Sequence, residues 1–378
     1  MKAAVLGSGL MGSVIAWDLA RSPDVDSVMV GDIDEVKLAA LKKRGGRKVT
    51  TQRIDIKDRA AVVKFLKESD VAASALPHGI VHHSDLAAVE AGTKMVNIAF
   101  EDEQMELDGA ARKSGALLIP GCGVAPGLSA ILLARGLHDL GGGDEGHILV
   151  GGLPQDPVPP FGYRLVFSIV GLLREYIDDA RVFRGGKMVK VRPFSTLETV
   201  DFPEPIGRLE AICTDGLASL VYTMKGMKTL DEKTLRWPGH VEKMAVLMDS
   251  GYFSKEKVKV GDAEVSPLEL SWSVLGKKLS EGEARDMTVM RVIAKGKGGE
   301  VVYDMVDKYD EEAGVTSMGK TTGYTASIVT QMVGSGKIVG KGVLAPEVAV
   351  SGDGADHLVS ELASRGVVLS RTLKTASA

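Results

Sequence analysis

Over the first third of the chain, short continuous apolar runs alternate with stretches whose apolar residues recur every three or four positions. Residues 2–7 (KAAVLG) predict a buried strand and 10–21 (LMGSVIAWDLAR) a helix. A strand at 27–31 precedes a helix at 34–43 with Asp34 as its N-cap. Residues 50–56 are strand-like, and Asp58 caps a helix that runs to Leu66. Strands at 70–75, 94–99 and 116–119 then alternate with helices at 79–91 and 104–113. Strands apolar on both faces, separated by amphipathic helices, specify a doubly wound parallel α/β sheet covered on both sides.

The run GCGVAPGLS, residues 121–129, breaks this rhythm. Pro126 suits a first helical turn, 127–140 carries an apolar stripe, and the glycines at 141–143 end it. Residues 146–153, 163–169, 181–194 and 286–310 read as strands, with hairpin turns at Gly185-Gly186 and near 296–299. Helices are expected at 171–179, 216–225, 240–249, 267–278, 323–334 and 355–366. The pattern predicts a second, α+β domain on an open, largely antiparallel sheet over residues 126–315. The first domain then spans 1–125 and is completed by 316–378.

Composition narrows the function classes. Length suits two domains. Lys+Arg 46 against Asp+Glu 50 gives −4, which offers no basic field for nucleic acid or an anionic membrane. Two cysteines, Cys122 and Cys213, exclude a disulfide scaffold and point to a reducing, cytoplasmic setting. The first residues lack a signal-peptide apolar region, and no run is apolar enough to span a membrane.

The chemistry begins at Gly7-Ser8-Gly9-Leu10-Met11-Gly12, a G-x-G-x-x-G between a strand and a helix, with Asp32 twenty residues on at the tip of the second strand. Gly7 serves the tight turn, Gly9 the approach of a pyrophosphate, and Gly12 the helix–strand packing, so the domain reads as a Rossmann-type dinucleotide fold. Asp32 can accept from ribose hydroxyls and repels a 2′-phosphate, which favours NAD over NADP. Asp55-Ile56 after the third strand and Ala75-Leu76-Pro77 after the fourth stand where a dinucleotide crosses the sheet edge. Each of these also fits an ordinary strand-to-helix turn.

GCGVAPGLS resembles the segment that follows the Rossmann half in the saccharopine dehydrogenase superfamily. The blocks VGGLPQDPVPPFGYRLVFS, LLREY, TDGLASL and TLRWPGHVEKM resemble its lysine 6-dehydrogenase branch. The resemblance implies an α+β catalytic domain whose sheet helps form a homodimer, and a C-terminal return to the first domain. It also implies NAD-dependent oxidative deamination of lysine at the ε-carbon, giving an aldehyde that cyclises. Saccharopine- and carboxynorspermidine-type dehydrogenases, and a non-catalytic dinucleotide-binding scaffold, are the alternatives.

Four residues are candidates for handling an amino-acid substrate. Arg236 can clamp a carboxylate and His240 can act as general base, both in what reads as a turn; an exposed structural turn is the plain alternative. Asp215 and Glu175 can orient amino groups, although Asp215 also suits a helix N-cap and Glu175 a salt bridge. Residues 314–321 spell a P-loop, but the acidic run 310–312 and a hairpin strand precede them, so nucleotide hydrolysis is not expected. His78, His82 and His83 read as part of a helix rather than a metal site, and no metal is expected.

Overall fold

The computed structural model describes residues 1–283 and 285–375. Its chain divides into two compact units. The first comprises Met1–His138, Ala218–Met224 and Gly319–Leu369; the second comprises Asp139–Leu217, Lys225–Met318 and the chain from Ser370 onward. The helix Leu128–Asp139 thus goes almost wholly with the first unit, and Pro126 stands outside it. Residues 376–378, expected in the C-terminal return, lie outside the described residues.

The first unit is built on a parallel sheet with spatial order Gly342–Val343, Leu117–Ile119, Lys94–Asn97, Val71–Ser74, Lys2–Leu6, Ser27–Asp32, Val49–Arg53. Ala3 to Leu6 are buried, as a central strand covered on both faces requires. The expected caps form: Asp34 accepts from the Val36 and Lys37 amides, and Asp58 from that of Ala61. The third strand ends at Arg53, so Asp55 and Ile56 lie in the turn beyond it. The helix expected at 104–113 begins earlier, as a 3-10 turn over Asp102–Leu107, because Glu101 and Gln104 cap each other reciprocally. The excursion Ala218–Met224 is tied into this unit by the Ser219 and Thr223 hydroxyls, which donate to the buried Glu347.

The second unit holds a mixed sheet in the order Glu198–Asp201, Arg208–Cys213, Thr229–Arg236, Glu145–Pro154, Asp286–Gly296, Gly299–Lys308, Leu369–Thr375. Both expected hairpins form. One pairing is parallel, between Thr229–Arg236 and Glu145–Pro154. Three expectations fail here. Residues 163–169 are not a strand: Tyr163, Leu165 and Phe167 instead fill the core beneath the helices, and Ile169 already opens the helix Ile169–Ile177 capped by Ser168. The helix expected at 216–225 shrinks to Leu220–Thr223, since Ala218 adopts φ 49°. The helix expected from 323 starts at Ser317, where the Asp286 carboxylate accepts from the Ser317 and Met318 amides.

In the parallel pairing, His147 lies opposite Asp231. Its Nδ1 is 2.8 Å from Asp231 and its Nε2 is 3.0 Å from Glu145, while Arg184 and Lys295 complete the two carboxylates. Burial works against a charge on His147, but Asp231 and then Glu145 outweigh it and raise the imidazole above its ordinary range. That stabilisation is full below the unfolded histidine value, about 6.5, and fades as pH rises through the raised folded value. Urea midpoints followed from about pH 6 to about pH 9 should therefore fall more steeply for the wild type than for His147→Gln. Equal slopes would refute an imidazolium held between two carboxylates.

Candidate functional site: a dinucleotide cleft and a buried polar array

Close backbone approach shapes the first site. Gly7 adopts φ 97°, and a Cβ there would come 2.8 Å from the Ala75 carbonyl oxygen. A Cβ on Gly12 would overlap the Gly7 carbonyl, so glycine lets the helix Leu10–Arg21 start this near the strand. Gly9, its N-cap, faces open space and offers no side-chain cap, which leaves the first-turn amides to an anion. A cleft of about 480 Å³ opens there. Gly7 and Gly9 form one wall, Asp32, Asp55 and Ile56 a second, and Ala75, Leu76 and Pro77 a third. Leu10 and Met11 lie outside the lining, so only their backbone can serve a phosphate.

Asp32 sits where the sheet edge meets this turn. Its Oδ2 accepts from the Ser8 amide and, at 2.8 Å, from the Ser8 hydroxyl; its Oδ1 accepts from the Asp34 amide at 2.9 Å. Partial burial works against ionisation, but the bonds from Asp34 and Ser8 prevail and hold Asp32 below the usual carboxylate range. Oδ1 keeps a lone pair for a hydroxyl donor. Open space at Gly9, uncapped amides and a fixed carboxylate together fit a dinucleotide.

The second unit gathers the amino-acid candidates. Arg236 is the last residue of its strand rather than part of a turn, and it is 1% exposed. Its Nε donates to Tyr176 Oη at 3.0 Å, its Nη1 to the Leu235 carbonyl at 2.8 Å, and its Nη2 to Glu175. The Tyr163 ring lies 4.9 Å from the guanidinium carbon. Tyr176 passes its own proton toward His240 Nε2 at 2.7 Å, and His240 Nδ1 donates to the Phe161 carbonyl at 2.8 Å. Burial first, and the Arg236 charge second, push His240 down to about 3, so its ring is neutral with both nitrogens engaged. The expected free clamp and free base are therefore committed here to each other through Tyr176. The turn 237–239 is structural: Trp237 donates to the Pro154 carbonyl, Gly239 adopts φ 81°, and Glu210 accepts from the Gly239 and Val241 amides.

Asp215 is no N-cap; its carboxylate accepts from Arg181 Nε at 2.8 and 3.1 Å. Asp215 and Glu175 both keep partial exposure. Between them stands Glu232, which the sequence reading missed. It shares one strand face with Leu230, Thr234 and Arg236, an alternation visible in TLDEKTLR once 229–236 is read as a strand. A Cβ on Gly216 would overlap its carboxyl group. Burial, with Glu175 and Asp215 adding, pushes Glu232 up to about 8.

The remaining motifs resolve structurally. At the P-loop-like run, the Asp286 carboxylate takes the place a phosphate would occupy, 2.7 Å from the Ser317 amide. His78 precedes the helix Val81–Ala91, so of the three histidines only His82 and His83 lie on it. Among the described residues no cluster of His, Cys, Asp or Glu is arranged for a metal. Arg236→Met should leave Glu175 without its counter-charge and Tyr176 without its donor, destabilising the protein by about 3–5 kcal/mol. Denaturant unfolding checks this; a loss below about 1 kcal/mol would show the array to be dispensable.

Comparison with known proteins places this geometry. Residues 3–119 match the family model described as the saccharopine dehydrogenase NADP binding domain, and residues 123–367 that of the saccharopine dehydrogenase C-terminal domain. The NADP(+), L-glutamate-forming saccharopine dehydrogenase of Saccharomyces cerevisiae is 24% identical over 417 residues, covering 90% of this chain and 93% of that protein. Its Schizosaccharomyces pombe counterpart is 27% identical over 215 residues, covering 53% of this chain and 47% of the relative. The solved structure of the apo Saccharomyces cerevisiae enzyme has the same fold, with TM-score 0.80, 23% identity and full coverage of both chains. With both halves matched, the chain belongs to the saccharopine dehydrogenase family.

Proposed function

We propose that this protein is an NAD-dependent oxidoreductase acting on the C–N bond of an amino acid, with L-lysine oxidised at its ε-carbon to the semialdehyde, which cyclises. The observation that carries the reading is the charge balance in the second unit. Three carboxyl groups, Glu175, Asp215 and Glu232, stand against two guanidiniums, Arg236 and Arg181, each already paired. With the third carboxyl protonated the two guanidiniums are balanced, and an arriving cation is favoured because it lets that carboxyl ionise. Lysine, with two ammonium groups and one carboxylate, suits such a site better on Coulomb grounds than saccharopine, which carries three carboxylates.

An ε-amine with an ordinary value near 10.4 must lose a proton before its carbon can release hydride. Glu175 and Asp215 orient the amine; because carboxylates favour its charged form, the neutral amine that releases hydride becomes available as pH rises. The bound dinucleotide supplies the hydride acceptor. Asp32, ionised and fixed by Ser8, accepts from the ribose hydroxyls and repels a 2′-phosphate, which supports NAD although the named relatives use NADP(+). The same reading carries a homodimer through the second unit and a cytoplasmic setting suited to two buried, free cysteines. A saccharopine-type dehydrogenase is the second reading, favoured by the relatives themselves.

Absorbance of the reduced nicotinamide, followed with lysine or saccharopine and with NAD or NADP, separates these readings. Turnover with lysine and NAD that rises toward alkaline pH is expected. Turnover with saccharopine alone would replace lysine, and equal use of NADP would overturn the role given to Asp32; Asp32→Ala should relax the preference for NAD. Asp215→Asn should raise KM for lysine roughly tenfold, the loss of one charge-assisted hydrogen bond.

A further inference from the structure

Glu232 enters the reading above only through its charge, with no part in holding the amine. It is 5% exposed, and its Oε2 is buried without a hydrogen-bond partner. Glu175 faces it from the helix Ile169–Ile177, and Asp215 from the chain just past Arg208–Cys213. The nearby guanidiniums are spent: Arg236, at the end of Glu232's own strand, is bonded to Glu175, and Arg181, on the strand Ala180–Arg184, to Asp215. On its own strand, Thr234 turns to the Thr214 hydroxyl at 2.9 Å, and Lys233 to Glu198 at 2.7 Å. Gly216 has no side chain where the Glu232 carboxyl lies, so the backbone leaves it a fitted place. A buried acid with no counter-charge is costly when ionised, and a neutral side chain of the same size would be more stable there. A carboxyl in such a place is suited to exchange a proton, not to hold the fold together.

We infer that Glu232 holds a proton in the free protein and releases it to water when a substrate ammonium seats against Glu175 and Asp215. The inference rests on the amine-oxidising reading. Only the O–H bond of Glu232 breaks; its proton passes to solvent, and the positive charge of the arriving ammonium balances the carboxylate left behind. A neutral ligand would displace no proton. Amine affinity should then strengthen by up to about tenfold per pH unit below the Glu232 value of about 8, and level off above it. Glu232 is a positioning residue in this scheme.

Calorimetric titration of L-lysine and of saccharopine into the full-length protein at about pH 7, in two buffers of different ionisation heat, counts the protons released. The wild type should release most of one proton, whereas Glu232→Gln should release almost none and bind with an affinity independent of pH. Amine binding with the same proton count in both proteins overturns the coupling. Thermal melting gives a second reading that needs no ligand. Because the unfolded carboxyl ionises well below the folded one, the wild type should lose melting temperature relative to Glu232→Gln from about pH 4.5 to about pH 8. Parallel melting curves overturn a protonated Glu232. Diverging curves in a wild type that binds neither amine would instead overturn the amine-oxidising reading, and the ammonium-linked role of Glu232 with it.

Discussion

A guanidinium shut away from water must have its charge matched and its donors filled, and the second unit is arranged around that requirement. Arg236 closes a sheet strand, Glu175 and Tyr176 reach it from one helix, and His240 reaches Tyr176 from the next. Phe161, in the irregular segment before the first helix, takes the last proton of the series. Each polar atom in this series is satisfied by the next, which is what makes such a network tolerable in a core. The aromatic rings of Tyr163 and Tyr176 pack on the same group and exclude water. Two helices, a strand end and a long loop are held by one charge.

The first unit depends on a different economy, that of backbone space. Gly7 and Gly12 bring a helix start against a strand end, and Gly9 leaves the front of that helix open. Ser8 then spends both its amide and its hydroxyl on Asp32. The residue between the first two glycines thereby fixes the acid at the tip of the second strand. The shape of the cleft there comes from one short turn and the tip of the neighbouring strand.

The two sites differ in how they treat charge. Asp32 is held ionised by donors from the backbone and from Ser8. Glu232 is denied such donors and faces two other carboxyl groups. His147, on the same sheet as Glu232, is raised by the carboxylates beside it, while His240 is held neutral by burial and the neighbouring arginine. The side-chain type sets none of these outcomes; the neighbours do.

The local pattern by itself determined the parallel sheet, its helix caps and the glycine turn, because strand and helix periods and a G-x-G-x-x-G are short-range features. It also marked Asp32, whose distance along the chain from that turn is dictated by one strand–helix–strand unit. Tertiary structure alone decided that Arg236 and His240 are buried partners, not a free clamp and a free base. Their partners lie 60 to 79 residues away in the chain, and nothing in RWPGH records them. It also decided that residues 163–169, alternating like a strand, serve as core filling, because the apolar faces of the neighbouring helices needed covering. Glu232 was invisible for the same reason: desolvation depends on what covers a side chain, and what covers it comes from a helix and a loop remote in sequence.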